Sequence, residues 1–271
     1  MKKTFSFLFT VFVFLNIAFA SVDTVSIYSN AMHRNIKAIV IKPSNYKKEN
    51  AFATVYLLHG AYGRYDNWVL KVPSLQAEAD RYSILIVCPD GAVNSWYFDS
   101  PVDSSYKFET HVSTEVPAYI DSHYKTKKDR KYRAIAGLSM GGHGALFIAF
   151  RHSEIFGACG SMSGALNVEA ITAGYDVPKR LGDPKTNKSF YHDFSVLTVI
   201  EKKPIDSLAI IIDCGAQDFI SGMTKAVHDK MNKLKIVHDY TERPGKHDWF
   251  YWANSVQYQL LFFNNFFEKE K

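Results

Sequence analysis

Cysteine is scarce in this chain of 271 residues, with only Cys88, Cys159 and Cys214. An odd and small number cannot build a disulfide framework. Each lies in or at the end of an apolar run, so the pattern predicts buried free thiols, with a Cys159–Cys214 bridge between neighbouring strands as the alternative. Cys-x-x-Cys and His-Glu-x-x-His spacings are absent, which removes the usual grounds for a structural or catalytic metal. The expectation is therefore no metal and no cofactor. Lysine and arginine do not cluster and the formal charge is only +5, which argues against a nucleic-acid partner. Internal repeats and low-complexity linkers are also missing. No apolar run reaches the 18 or so residues that a membrane span requires.

What is present begins with a leader-like start. Lys2 and Lys3 precede an apolar run over residues 5–19, and Ala18-Phe19-Ala20 supplies small residues for cleavage before Ser21. This is the pattern of a signal peptide, with an uncleaved anchor as the alternative. Residues 1–20 are expected to be removed. Residues 21–271 then form a single domain of net charge +3, secreted or periplasmic. No cysteine follows the cleavage point, which speaks against a lipoprotein.

Beyond the leader, residues 24–30 and 36–41 alternate apolar and polar side chains around a short turn, predicting an antiparallel hairpin. Residues 53–59, 83–88, 132–138, 157–162 and 208–214 are instead nearly continuous apolar runs. Such runs suit strands covered on both faces. Helical patterns fall between them at 74–81, 109–123, 142–151 and 221–234, with Pro117 disturbing the second. A last strand at 236–240 and an amphipathic helix at 252–268 close the chain. The alternation predicts an α/β class, with a mostly parallel, doubly wound sheet behind an N-terminal hairpin. Residues 165–204 form an irregular insertion after a strand end. It is expected either to cover a site or to be a surface excursion.

Ser139 stands in Gly137-Leu138-Ser139-Met140-Gly141-Gly142, between an apolar strand and a helix, which is the setting of a nucleophile elbow. Acyl transfer by a serine also needs a base, an acid to orient it and donors for the oxyanion. His247, in the turn-rich loop 244–249 after the last strand, is the expected base. His59 is expected to be structural at a strand end, and His143 to sit on a helix surface or behind the site. Asp213 and Asp218 compete for the acid. Asp213 is still within a strand, where an unpaired carboxylate is costly; Asp218 falls in the following loop and is preferred, its other reading being a helix N-cap. Asp213 is expected to serve local loop hydrogen bonds. The oxyanion donors are expected to be the backbone N–H groups of Met140, at a helix N-terminus, and of Ala61 or, next, Tyr62, in the glycine-bounded loop His59-Gly60-Ala61-Tyr62-Gly63.

Five segments carry a family likeness in one consistent order: Leu57-Leu58-His59-Gly60, Ser95-Trp96-Tyr97, the elbow at 137–142, Asp213-x-Gly215-x-x-Asp218, and His247-Asp248-Trp249 with Trp252. On these residues the chain resembles the esterase-D-like branch of the α/β hydrolases, which includes feruloyl and acetylxylan esterases, tributyrin-type esterases, S-formylglutathione hydrolases and mycolyltransferases. The resemblance implies an α/β-hydrolase fold and a serine carboxylesterase working through an acyl-enzyme. It places the acid on the second aspartate of its segment, Asp218, and the base on His247. It also implies that Trp96 and Tyr97 line the acyl or alcohol pocket, whereas Trp249 and Trp252 read as core packing. The export signal favours extracytoplasmic esters, such as acyl groups on polysaccharides, over an intracellular thioester. An acyltransferase of mycolyltransferase type, an S-formylglutathione hydrolase-like thioesterase and a non-enzymatic binding module are the alternatives.

Overall fold

The computed structural model describes residues 22–46, 51–202 and 208–269. The expected leader and its cleavage point lie outside them. Eight strands form one sheet: β1 (Val22–Ser29), β2 (Arg34–Ile41), β3 (Ala53–Leu58), β4 (Ile84–Pro89), β5 (Arg133–Leu138), β6 (Ala158–Met162), β7 (Ala209–Gly215) and β8 (Asp239–Arg243). Their spatial order is β1-β2-β4-β3-β5-β6-β7-β8. The β1–β2 hairpin is antiparallel and joins β4 antiparallel, while β4 to β8 run parallel. This is the α/β-hydrolase architecture.

The apolar runs owe their continuity to burial on both faces. In β3, Tyr56 and Leu58 point into one core while Val55 and Leu57 point into the other, as a period of two requires. The helices that cover the sheet are α1 (Asn67–Lys71), α2 (Leu75–Tyr82), α3 (Phe108–Thr110), α4 (Val116–His123), α5 (Met140–Arg151), α6 (Val177–Leu181), α7 (Lys188–Asp193), α8 (Val196–Lys202), α9 (Ser221–Lys233) and α10 (Trp249–Lys269). Helix α10 seals the face opposite α5 with Val256, Leu260, Phe263 and Phe267, spaced to form one helical stripe.

Three local differences from the sequence reading have physical causes. Between α3 and α4 the segment His111–Glu115 is π-helical. Pro117 cannot donate to the carbonyl four residues back, and the wider turn before it absorbs the missing bond. The last strand begins at Asp239 rather than 236, because helix α9 ends in a Schellman motif. Lys235 takes φ 58°, its N–H donates to the Asn232 carbonyl, and that of Ile236 reaches the Met231 carbonyl. The insertion is not irregular: it carries α6, α7 and α8, and the apolar Val196, Val199 and Ile200 of α8 pack into the same core as α5.

All three cysteines are buried and free. Cys159 lies opposite Ile210 in the β6–β7 register, so Cys214 is four residues further along β7. That is beyond disulfide reach.

Candidate active site

The site is assembled at the carboxyl ends of the parallel strands β5, β7 and β8, where loops of this fold class gather. Ser139 follows β5 and occupies the N-cap position of α5 with φ 53° and ψ −118°. A serine at a helix start ordinarily bonds the helix's own N–H groups. Here the side chain makes no capping bond and Oγ instead lies 2.9 Å from His247 Nε2. The flanking glycines make so sharp a turn possible. A Cβ on Gly137 would overlap the Gly141 backbone, and one on Gly141 would lie 2.5 Å from the carbonyl oxygens of both Leu58 and His59. The elbow is thus pressed against the end of β3.

His247 follows β8 and Asp218 follows β7, and their two loops are laced together. Gln217 N–H donates to the Gly245 carbonyl at 2.9 Å, and Gly245 N–H donates to Gln217 Oε1 at 2.8 Å. Side-chain room at Gly215 is already taken by Gly245. The result is a paired contact of His247 Nδ1 with Asp218, 2.8 Å to Oδ2 and 3.0 Å to Oδ1. A carboxylate at Nδ1 fixes the proton there, leaving the Nε2 lone pair for the Ser139 hydroxyl. Burial alone would raise the Asp218 carboxyl's pKa. The hydrogen bond from His247 and the Ile220 N–H at 3.0 Å outweigh it and hold the group below its ordinary value. Asp218 therefore stays ionised beside the imidazole.

The other acid and the other histidines have different duties. Asp213 is fully buried, and its carboxylate serves no loop. It accepts Tyr251 Oη at 2.8 Å, Ser255 Oγ at 2.5 Å and Gln259 Nε2 at 2.7 Å, and pairs with Arg243 at 3.3 Å. It tethers α10 to β7, and burial raises its pKa despite these partners. The His59 ring is occupied at both nitrogens: Nδ1 donates to the Gly60 carbonyl and Nε2 accepts the Gly91 N–H, each at 2.8 Å. It is structural, as its strand-end position suggests. His143 is on no surface. It is completely buried, gives Nε2–H to the Phe194 carbonyl at 2.9 Å, and burial drives its pKa down to about 3.

Of the proposed oxyanion donors, Met140 is the first residue of α5, where N–H groups have no acceptor within the helix. Tyr62 N–H is committed to the Val93 carbonyl at 2.8 Å. Ala61, which lines the same cavity as Ser139 and Met140, is left as the better-placed second donor.

That cavity has a volume of about 680 Å³ and a mostly apolar wall. Trp96 lines it, with its indole N–H donating to the Tyr175 carbonyl at 2.9 Å. Tyr97 does not line it. Its ring is wedged between Gly91 and Gly144, and its hydroxyl holds the His59 carbonyl at 3.0 Å, so it supports the donor loop from behind. Trp249 and Trp252, expected only in the core, both reach the cavity wall. Trp252 stands edge-on to His247 at 4.9 Å. The insertion covers the site: its residues 170–175 complete the wall. Phe219 escaped the sequence reading altogether, yet it lines the cavity and tilts over His247 at 4.8 Å. Among the described residues no group of three His, Cys, Asp or Glu side chains is arranged to hold a metal.

Residues 29–263 match the model of the Esterase family ("Putative esterase"). The chain belongs to the esterase-D-like family of α/β hydrolases. It is a hydrolase acting on ester bonds. Within the family it is 27% identical over 253 residues to an acetyl esterase of Caldicellulosiruptor saccharolyticus, covering 86% of this chain and 94% of that protein. It is 32% identical over 156 residues to the diacylglycerol acyltransferase/mycolyltransferase Ag85A of Mycobacterium gordonae, covering 54% of this chain but only 43% of that protein. The solved structure of a ferulic acid esterase superposes with a TM-score of 0.80 at 28% identity, over 92% of this chain and 98% of the other.

Proposed function

We propose that this family member is an exported serine carboxylesterase that works through an acyl-enzyme on Ser139. The observation that carries the reading is the unbroken hydrogen-bonded line from Asp218 through His247 to the Ser139 hydroxyl, opening into an apolar cavity. Ser139 Oγ attacks the ester carbonyl while His247 Nε2 takes its proton, and Asp218 steadies the imidazolium. The carbonyl oxygen becomes an oxyanion held by the N–H groups of Ala61 and Met140, each such donor being worth about 3–4 kcal/mol of barrier. His247 then returns the proton to the alcohol oxygen as the C–O bond breaks. Water repeats the sequence on the acyl-enzyme and releases the acid.

Among the described residues the wall of the cavity contains no Lys, Arg, Asp or Glu side chain. That suits neutral esters and gives no counter-charge for the carboxylates of a glutathione thioester. Similarity to an acetyl esterase and to a ferulic acid esterase supports acyl groups carried on polysaccharides as targets. Export rests on the lysine-led apolar start of the sequence; among the described residues no helix is long and apolar enough to cross a membrane. The purified protein is expected to hydrolyse a short-chain p-nitrophenyl ester, and Ser139→Ala to remove that activity. Full activity in the variant contradicts the assignment. The mass of the protein recovered from its native host tests the leader, which predicts a chain starting at Ser21.

A further inference from the structure

The path of the alcohol half of the ester is fixed by the base. His247 Nε2 must come within hydrogen-bond reach of the alcohol oxygen to protonate it, so the alcohol extends outward from that nitrogen. Two rings stand against the imidazole. Trp252 meets it edge-on at 4.9 Å and is buried; Phe219 tilts over it at 4.8 Å and is 72% exposed. The ring on the solvent side, where a departing alcohol travels, is Phe219.

Its position is built rather than accidental. Asp218 Oδ1 accepts the Ile220 N–H at 3.0 Å, closing an Asx turn with Phe219 at its centre. The Asp218 N–H donates to the Gly215 carbonyl at 3.0 Å, and the Ser221 N–H to the Asp218 carbonyl at 3.1 Å. The backbone that orients the acid therefore also orients Phe219. Ile220 next to it belongs to the hydrophobic core, whereas Phe219 belongs to no core cluster. The turn thus presents an aromatic face outward at the mouth of the cavity.

Resting on the esterase reading above, we propose that Phe219 is a specificity-determining residue for the alcohol half of the substrate, a platform on which a neutral sugar ring lies as its ester oxygen meets His247. The C–H face of a pyranose is weakly positive and packs on the negative face of an aromatic ring. The remaining polar side chains of the wall, Tyr62, Asn67, Thr172 and Tyr175, are uncharged hydrogen-bonding groups. They match hydroxyls and offer nothing to a charged alcohol.

The test compares two acetate esters that differ only in the alcohol, ethyl acetate and methyl 6-O-acetyl-glucopyranoside. An aromatic leaving group is avoided because it would itself stack on the ring. In Phe219→Ala, the ratio of kcat/KM for the sugar ester to that for ethyl acetate is expected to fall about tenfold, through KM of the sugar ester. Phe219→Trp is expected to keep the ratio. A role in merely shielding His247 would instead lower both esters together and move the pH profile of kcat/KM. That outcome overturns the platform, as does an unchanged ratio, and either leaves the esterase reading standing. If the unaltered protein turns over neither ester but cleaves a p-nitrophenyl ester, the platform falls alone; failure on all three overturns both.

Discussion

At φ 53° and ψ −118°, Ser139 occupies backbone space that costs a non-glycine residue about 1–3 kcal/mol. The conformation turns Oγ away from the helix it caps and toward His247, so the strain serves the geometry. Asp218 is the group that keeps the imidazole in its proton-accepting tautomer. Asp218→Asn is expected to lower kcat/KM about ten-thousand-fold with the fold retained, measured on a p-nitrophenyl ester beside a thermal melt. A loss of tenfold or less contradicts its role. His143 has a consequence for stability instead. The unfolded chain protonates it near 6.5, the folded chain only near 3. Between those values the unfolded state binds the extra proton, so stability is lost as pH falls through this window. The group contributes a slope of up to about 1.4 kcal/mol per pH unit. Urea titrations between about pH 6.5 and 5, above the range of most carboxylates, are expected to show that slope in the natural protein and a flatter one in His143→Gln.

Among the elements, α10 is held in two ways. Its apolar stripe packs on the sheet, and Tyr251, Ser255 and Gln259 converge on Asp213. The same helix brings Trp249 and Trp252 to the cavity, so its tether also shapes the site. Asp213→Ala leaves these donors and Arg243 without their acceptor, and is expected to cost about 3–5 kcal/mol in denaturant unfolding. A cost below about 1 kcal/mol contradicts the tether. Strands β3, β4 and β5 were legible because every residue in them is buried, which leaves a nearly continuous apolar signature broken only by Thr54 and by Arg133 at the start of β5. The start of β8 was not, because Lys235 adopts a left-handed conformation without a glycine to announce it. Helices α6, α7 and α8 are short, and their helicity comes from tertiary packing, with Val177, Leu181, Tyr191 and Val196 buried in the core shared with α5, rather than from any periodic pattern long enough to read.

Across the whole molecule, the parallel strands deliver Ser139, Asp218 and His247 from three separate loops to the carboxyl-end side of the sheet. The order of motifs along the chain made that convergence readable, since each candidate followed a different expected strand. The depth of each side chain was not readable. Trp96 and Tyr97 are neighbours with φ near 59°, and only the fold sends one ring to the cavity and the other behind it. Phe219 gave no signal at all, because its exposure depends on a turn closed by its neighbour's carboxylate. The insertion, tied back by Trp96 at Tyr175, adds a wall over the strand ends and deepens them into a mostly apolar cleft. All of this converges on one proposed nucleophile, Ser139 Oγ. The most direct measurement is the intact mass of the protein after exposure to a fluorophosphonate, followed by peptide mapping. The account predicts a single adduct on Ser139, absent from Ser139→Ala and suppressed in His247→Ala; a natural protein that takes up no label, or carries it elsewhere while hydrolysing esters, contradicts it.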